Sequence, residues 1–277
     1  MAKVINNFVV DHVLRGIMVK KNGEYMWSIN QITNPSLNVA LSDTAQAVDA
    51  LGTPIAEFDR GRSAEFSAEN SLFDLGLYAA QLGREKEVGG AEDENGSVTV
   101  ITMPAFEEIE MVVTKDEEGK DKLVEEYSLK NTPKEDINMI YLLNGDGTLG
   151  KSYVAGTQAS NTEFVYADGK ITIPTGLTKE DVLFVMYEYE ATSGVAVTAN
   201  AIDFPKRGKF IMEVLGCDVC DQEELIHAYV EFPNAKLDGN VDYSFTTDGT
   251  HPFTIKAMQD YCNKEKVLFR VIIPDEE

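Results

Sequence analysis

Cysteine and histidine are scarce in this chain, with three of each among 277 residues. An odd cysteine count argues against an oxidised disulfide framework, and a chain this long can bury its apolar surface without staples. Long apolar runs are also missing. The strongest, "VLFVMYEY", has eight residues, whereas a bilayer span needs about twenty. The N-terminal "MAKVINNFVVDHVLRG" has neither an apolar core nor a small-residue cleavage site, so the expected compartment is a reducing cytoplasm and no membrane partner is expected. Positive charge is short as well. Forty-seven acidic residues against 24 basic ones leave a net charge of −23. Such a surface repels phosphate, which disfavours gripping nucleic acid by its backbone but does not forbid a role in which nucleic acid must pass without sticking.

Catalytic signatures are missing too. There is no Gly-x-Ser-x-Gly, no phosphate-binding Gly-x-x-x-x-Gly-Lys-Ser/Thr, no dinucleotide-binding Gly-x-Gly-x-x-Gly and no His-Glu-x-x-His. None of His12, His227 and His251 stands in an acid-base setting, so no enzyme activity, catalytic residue, cofactor or resident metal is expected. An Asp-Gly pattern in "NGDGTLGKSYVAG" lacks the further acidic pair and closing glutamate of a calcium loop and reads as a turn.

What the chain does hold is strand pattern. "YMWSINQITNPSLNVALS" alternates apolar and polar residues around an expected turn at Asn34-Pro35, with Leu37, Val39 and Leu41 on one face. "SAENSLFDLGLYAAQLG" changes period: Leu72, Leu75, Ala79 and Leu82 recur at helical spacing, Ser67 is placed to cap the start, and Gly83 stands past the end. This predicts a helix over 68–82. From Arg84 onward, "REKEVGGAEDENG" and "KDEEGKDK" read as charged loops of projecting hairpins around the strands "SVTVITM" and "EEIEMVVT". Asn144-Gly145-Asp146-Gly147 and Asp168-Gly169 are hairpin turns. Strands then crowd the C-terminal third as "KFIMEVLG", "LIHAYVEFP", "VDYSFTTDG" and "KVLFRVIIP". "FTIKAMQDYCNKE" is either a second short helix or a strand followed by a turn. An antiparallel β-sandwich or barrel with one flanking helix fits this order.

The stretch "EVLGCDVCDQEELIH" carries a Cys-x-x-Cys, the commonest half of a zinc site. Completing it would take Cys262 and one histidine, without a second close-spaced pair. A redox role is weaker still, because Asp218, Asp221, Glu223 and Glu224 surround Cys217 and Cys220 with negative charge that opposes thiolate formation. The simpler reading makes "GCDVCD" a turn between two strands, its thiols acting as small hydrophobes.

The run "HAYVEFPNAKLDGNVDYSFTTDGTHPFTIKAMQDYCNKEKVLFRVIIPDEE", together with "PIAEFDRGRSAEFSAENSLFDLGLYAAQLG", resembles the major tail, or tail tube, proteins of tailed bacteriophages. The resemblance covers roughly 24–83 and 205–277. It implies a mainly β, tail-tube-type sandwich or barrel from 1–83 and 201–277, with 84–200 as inserted strands and acidic loops that form a small outer subdomain. It further implies a structural virion protein of the phage tail, made in the host bacterial cytoplasm. Copies would join into hexameric rings that stack head to tail, contact other tail proteins and let viral DNA through without specific binding. The hairpin reaching the next ring is then either the pair of arms around Asn34-Pro35 or the segment 43–64. A capsid decoration protein, a head-to-tail joining protein and a zinc-dependent binding module are the rival readings.

Overall fold

The computed structural model describes residues 7–93, 95–261 and 264–274. The chain is mainly β and forms two compact units, one from residues 1–86 and 197–277, the other from 87–196. The first unit opens with β1 (Phe8–Val19), β2 (Tyr25–Ile29), β3 (Ile32–Val48), β4 (Pro54–Asn70) and the single helix among the described residues, α1 (Leu75–Gln81). The second unit then contributes β5 (Glu87–Val88), β6 (Ile101–Glu110), β7 (Val113–Lys115), β8 (Asp121–Leu123), β9 (Glu126–Ser128), β10 (Met139–Leu143), β11 (Leu149–Ala155), β12 (Glu163–Ala167), β13 (Lys170–Thr172), β14 (Val182–Ala191) and β15 (Val195–Ala196). The chain returns to the first unit with β16 (Arg207–Asp218), β17 (Asp221–Leu237), β18 (His251–Ala257) and β19 (Arg270–Ile272).

In the first unit the strand order is β2-β1-β16-β17-β18-β4-β3, with β19 added on β17. The two end strands, β2 and β3, are consecutive in the chain and separated only by Asn30 and Gln31. Laid flat, seven strands would hold their outer members about 29 Å apart. The three Cα steps from Ile29 to Ile32 reach at most about 11 Å. The sheet therefore has to roll until its two ends meet, which makes it barrel-like. Inside the roll, Trp27, Phe66, Phe210, Phe232 and Phe253 are buried, with ring centroids of successive pairs 5.8–6.4 Å apart. Gly16 is required at its place in β1, because a Cβ there would come within 2.8 Å of the Phe210 ring.

The helix is shorter than its apolar spacing predicts. Residues 68–70 belong to β4, where Phe66, Ala68 and Asn70 alternate into the interior and pair with Ile255, Phe253 and His251 of β18. The N-cap is accordingly Asp74, not Ser67, and its carboxylate accepts the Leu77 N–H at 2.7 Å. Gly83 does lie just past the end, at φ +75°. Asn34-Pro35 is likewise not a turn. Asn34 (φ +49°) sits in a bulge where the register shifts between Thr33 and Ser36, and β3 runs straight on. Of "FTIKAMQDYCNKE", residues 253–257 form the end of β18, and Cys262 and Asn263 lie outside the described residues.

Histidine 251 ties α1 to the barrel. Its side chain is wholly buried, its Nε2 lies 2.7 Å from Gln81 Oε1, and its Nδ1 lies 3.4 Å from the Asp74 backbone nitrogen. Gln81 in turn donates to the Pro252 carbonyl at 3.1 Å. These contacts fit a neutral imidazole that donates through Nε2 and accepts through Nδ1.

The second unit has its own core, with Ile140, Phe164, Ile171, Leu183 and Val185 fully enclosed. Its main sheet runs β6-β14-β10-β11-β12-β13-β9, and β7 with β8 and β5 with β15 form two small pairs. One loop design recurs in both units. At Lys20–Glu24, Asp49–Thr53, Asp116–Lys120 and Asn144–Thr148, the first N–H donates to the fifth carbonyl and the fourth N–H to the first carbonyl. The fourth residue is in each case a glycine with φ between +79° and +86°. This is a type I turn closed by a glycine bulge, for which Asp-x-x-Gly is the natural sequence because the aspartate carboxylate caps the loop's own N–H groups. In Asp49 it accepts from Leu51 and Thr53, at 2.9 and 2.8 Å.

Burial pushes the His251 pKa down from 6.5, against a smaller opposing pull from Asp74. Below pH 6.5 the unfolded chain then binds a proton that the folded one refuses. The stability contributed by neutral His251 is present above that pH and lost as pH falls through the unfolded value towards the folded one. His251→Gln is expected to cost about 1–3 kcal/mol at pH 7. It should also flatten the decline in urea midpoint between pH 7 and 5, whereas parallel declines in parent and variant would exclude a buried neutral His251.

Candidate assembly surface

The feature with most unexplained exposure is the β3–β4 hairpin. Both strands have 17 residues, and from Leu37 to Arg60 nearly every described side chain is solvent-exposed, although the inner ends of the strands belong to the barrel. Paired residues share a face of the ribbon. Ala45 opposite Phe58 and Ala47 opposite Ala56 give one face, and Thr44 opposite Asp59 and Gln46 opposite Glu57 the other. The second face is internally satisfied, since Gln46 donates to Glu57 at 3.1 Å. The first is not covered: Phe58 is 58% exposed, and Leu51 at the tip 91%. An isolated two-stranded ribbon is marginally stable in water, and long uncovered edge strands are usually blunted. The two segments predicted as alternative projecting arms are thus parts of one hairpin: 34–35 lies near its base and 43–64 makes up its outer half.

A second exposed region lies at the far end of the three-stranded ribbon β1-β16-β17. The "GCDVCD" stretch is its tip, with Asp218 opposite Asp221 and Val219-Cys220 as the turn. The Cys220 N–H is capped by the Asp218 carboxylate at 3.0 Å. Cys217 is half-buried and Cys220 exposed, and His227 is engaged elsewhere, with Nδ1 2.9 Å from Glu213. Cys262 lies outside the described residues. Among the described residues no three His, Cys, Asp or Glu side chains converge as a metal site would require. Val9, Cys217 and Leu225 pair across the ribbon and so line one face, and Val9 is 47% and Leu225 53% exposed.

Between these regions the strands are clamped by charge. Glu213 on β16 is buried between Arg15 of β1 and His227 of β17. Glu231 on β17 is buried between Lys209 of β16 and Arg270 of β19, whose Nε donates at 2.6 Å. Burial alone raises both carboxyl pKa values, and the hydrogen bonds from Arg15 and His227 to Glu213, and from Lys209 and Arg270 to Glu231, outweigh it, so both end below the usual glutamate range. These clamps tie β1, β16, β17 and β19 together by side chains on the face opposite the apolar core residues Met212, Val214, Ala228 and Val230. Only Glu213 and His227 lie in the cysteine stretch singled out from sequence. The pairing of Lys209 and Arg270 with Glu231 had no local signal, since the partners lie 22 and 39 positions from it.

In the second unit, Phe106 and Phe184 stack at 6.1 Å on the outer face of β6–β14, Phe106 being 62% exposed. Glu107, on the opposite face, is buried and accepts from the Tyr187 hydroxyl and from the Lys130 N–H at 3.0 Å. Residues 87–196 carry 22 acidic and 8 basic side chains, a balance of −14, against 25 and 16, or −9, for the longer first unit. The acidic excess is therefore densest in the second unit.

Glu231→Gln should cost about 1–2 kcal/mol at pH 7, the low end for bonds to charged groups because Lys209 and Arg270 are part-exposed. Since the folded pKa is depressed, the carboxylate's contribution is present above the unfolded value of 4.5 and is lost as pH falls below it. The stability gap between parent and variant should then narrow below about pH 4.5, and amide exchange over Arg270–Ile272 should be faster in the variant at neutral pH. A gap independent of pH would contradict the clamp.

A protein-family model described as the YomU/Tube protein family matches residues 8–271. A search of curated proteins found no match.

Proposed function

Because the chain belongs to the YomU/Tube protein family, a phage tube-like structural family, we propose that it is the repeating subunit of a phage tail tube. Six copies close into a ring, and rings stack head to tail into a conduit in the virion tail. The observation that carries this reading is the uncovered β3–β4 ribbon, an apolar surface on a marginal element that has a structural reason only when another chain packs on it. The open edges support it. Strand β3 ends the rolled sheet, and among the described residues β1 has no strand partner opposite Phe8–Arg15 on the side away from β16, because β2 covers only Gly16–Val19. Edges left unprotected in a subunit are natural where neighbours fill them.

The partners in this reading are further copies of the chain and the other tail proteins, with viral DNA passing through. The charge suits passage. Duplex DNA carries about one negative charge per 1.7 Å of axis, so a strongly acidic subunit does not hold it. A role as a capsid decoration or head-to-tail joining protein would not call for so long a self-exposing ribbon.

Replacing residues 43–60 by an Asn-Gly turn is the direct trial, because these side chains lie outside the barrel core. The shortened chain is expected to stay folded, with a melting temperature within about 5 °C of the parent, and to remain monomeric in sedimentation velocity at concentrations where the parent forms large particles. Equal assembly by both chains would remove the ribbon from the interface.

A further inference from the structure

The main sheet of the second unit has an apolar cluster on its outer face. On β6, β14, β10 and β11 the side chains of Ala105, Val185, Ile140 and Tyr153 turn into the core, and those one position along turn out. Phe106 stands opposite Met186, Phe184 opposite Tyr141, and Met139 opposite Val154, all on the outer side. Phe106, Met186, Val154 and Met139 are 62, 54, 44 and 40% exposed. Single exposed apolar residues are ordinary, but a cluster that crosses four neighbouring strands marks a contact surface. Backbone pairing cannot supply that contact. Both β14 and β10 are already paired on their two sides, so a partner has to bind through side chains.

Carboxylates frame the cluster. Glu108 lies opposite Phe184, and Glu188 two residues beyond Met186, both exposed and on the same face. Glu163 stands beside Val154 across the parallel β11–β12 pair. Among the described residues neither Glu108 nor Glu188 meets a cation, and Lys134, which donates to Thr102 at the end of this face, is held by Glu190. Such a frame repels nucleic acid and anionic membrane, and also a second copy, whose residues 87–196 alone carry 22 acidic against 8 basic side chains. The size of the cluster points the same way. It spans three strand spacings, about 14 Å, by one two-residue step of about 7 Å along the strand, far short of the roughly 800 Å² per partner that a stable dimer buries. Three turns of helix present an apolar stripe about 16 Å long and satisfy their own backbone. Methionine beside aromatic rings is the composition that adapts to a helix's side chains. We propose that this outer face is a docking site for a basic amphipathic helix of another protein. The apolar side chains of that helix rest on Phe106, Met186 and Met139, and its lysines or arginines meet Glu108 and Glu188. No contact between copies of the chain enters this inference, so it stands apart from the tube reading.

The test titrates full-length protein into a fluorescently labelled leucine/lysine peptide of about 15 residues, with leucines at i, i+3, i+4 and i+7, and reads anisotropy at about 150 mM salt. A peptide of the same composition shuffled to remove the stripe measures attraction by bulk charge. Two variants are compared with the parent, each checked for parental melting behaviour. F106S/M186S removes the apolar cluster and keeps the charge, and E108K/E188K keeps the cluster and reverses its frame. The striped peptide is expected to bind the parent about tenfold or more tighter than the shuffled one, and each double variant to lose about tenfold or more of that affinity. A leucine/glutamate peptide with the same stripe should bind E108K/E188K and not the parent. Equal binding of striped and shuffled peptides, or of parent and F106S/M186S, would overturn the site. Failure of F106S/M186S to form the particles that the parent forms would give this face to a second copy, which overturns the helix site and leaves the tube reading standing.

Discussion

Closure of the first unit's sheet is the constraint on which the rest of the structure depends. Two residues, Asn30 and Gln31, join strands at opposite ends of a seven-strand order, and a link that short can only be made if the sheet rolls. Rolling creates the interior that the aromatic side chains fill. It also decides what is left outside. Strands β3 and β4 are longer than the barrel they help to close, so their outer halves leave the core as a two-stranded ribbon, and the far end of β1-β16-β17 is left with free edges. The surfaces assigned here to assembly are thus what remains when long strands are fitted into a small closed sheet.

Polar interactions do work that the core does not. The two buried glutamates sit on the side of β16 and β17 away from the aromatic interior and bind four strands through side-chain charge. Such clamps add little to net stability, because burial of the carboxylates opposes the attraction. They favour one register, which matters for a sheet whose central strand, β17, pairs with β16 along most of its length and with β19 and β18 on successive stretches of its other edge. At the opposite end of the sheet, His251 and Gln81 do similar service by joining the short helix to β18.

Much of this was legible in the sequence, and the failures have identifiable causes. Period-two alternation gave the β class, and the Asn144–Gly147 and Asp168-Gly169 turns are local chemistry that needs no tertiary help. The "GCDVCD" stretch could be placed as a turn for the same reason. The helix start was misplaced because "SAENSLFDL" satisfies a helical spacing through Leu72 and Leu75, both exposed in the fold, while the strand pattern of Phe66, Ala68 and Asn70 is confirmed only by pairing with β18, nearly 190 positions away. Asn34-Pro35 has turn composition, yet a bulge uses the same left-handed backbone. Alternation at Leu37, Val39 and Leu41 was visible, but alternation cannot say whether anything lies over those side chains. Exposure of the ribbon emerges only from the three-dimensional closure.

The insertion, residues 87–196, folds around its own core and carries the denser share of negative charge. The barrel unit is only mildly acidic for its length. Subunit number and ring closure belong to the proposed tube. Native mass spectrometry of particles assembled from the purified full-length chain tests them most directly. The account predicts a smallest closed particle of six chain masses, with larger species in multiples of six. A ladder of dimers and tetramers, or a chain that remains single at assembly concentrations, would contradict it.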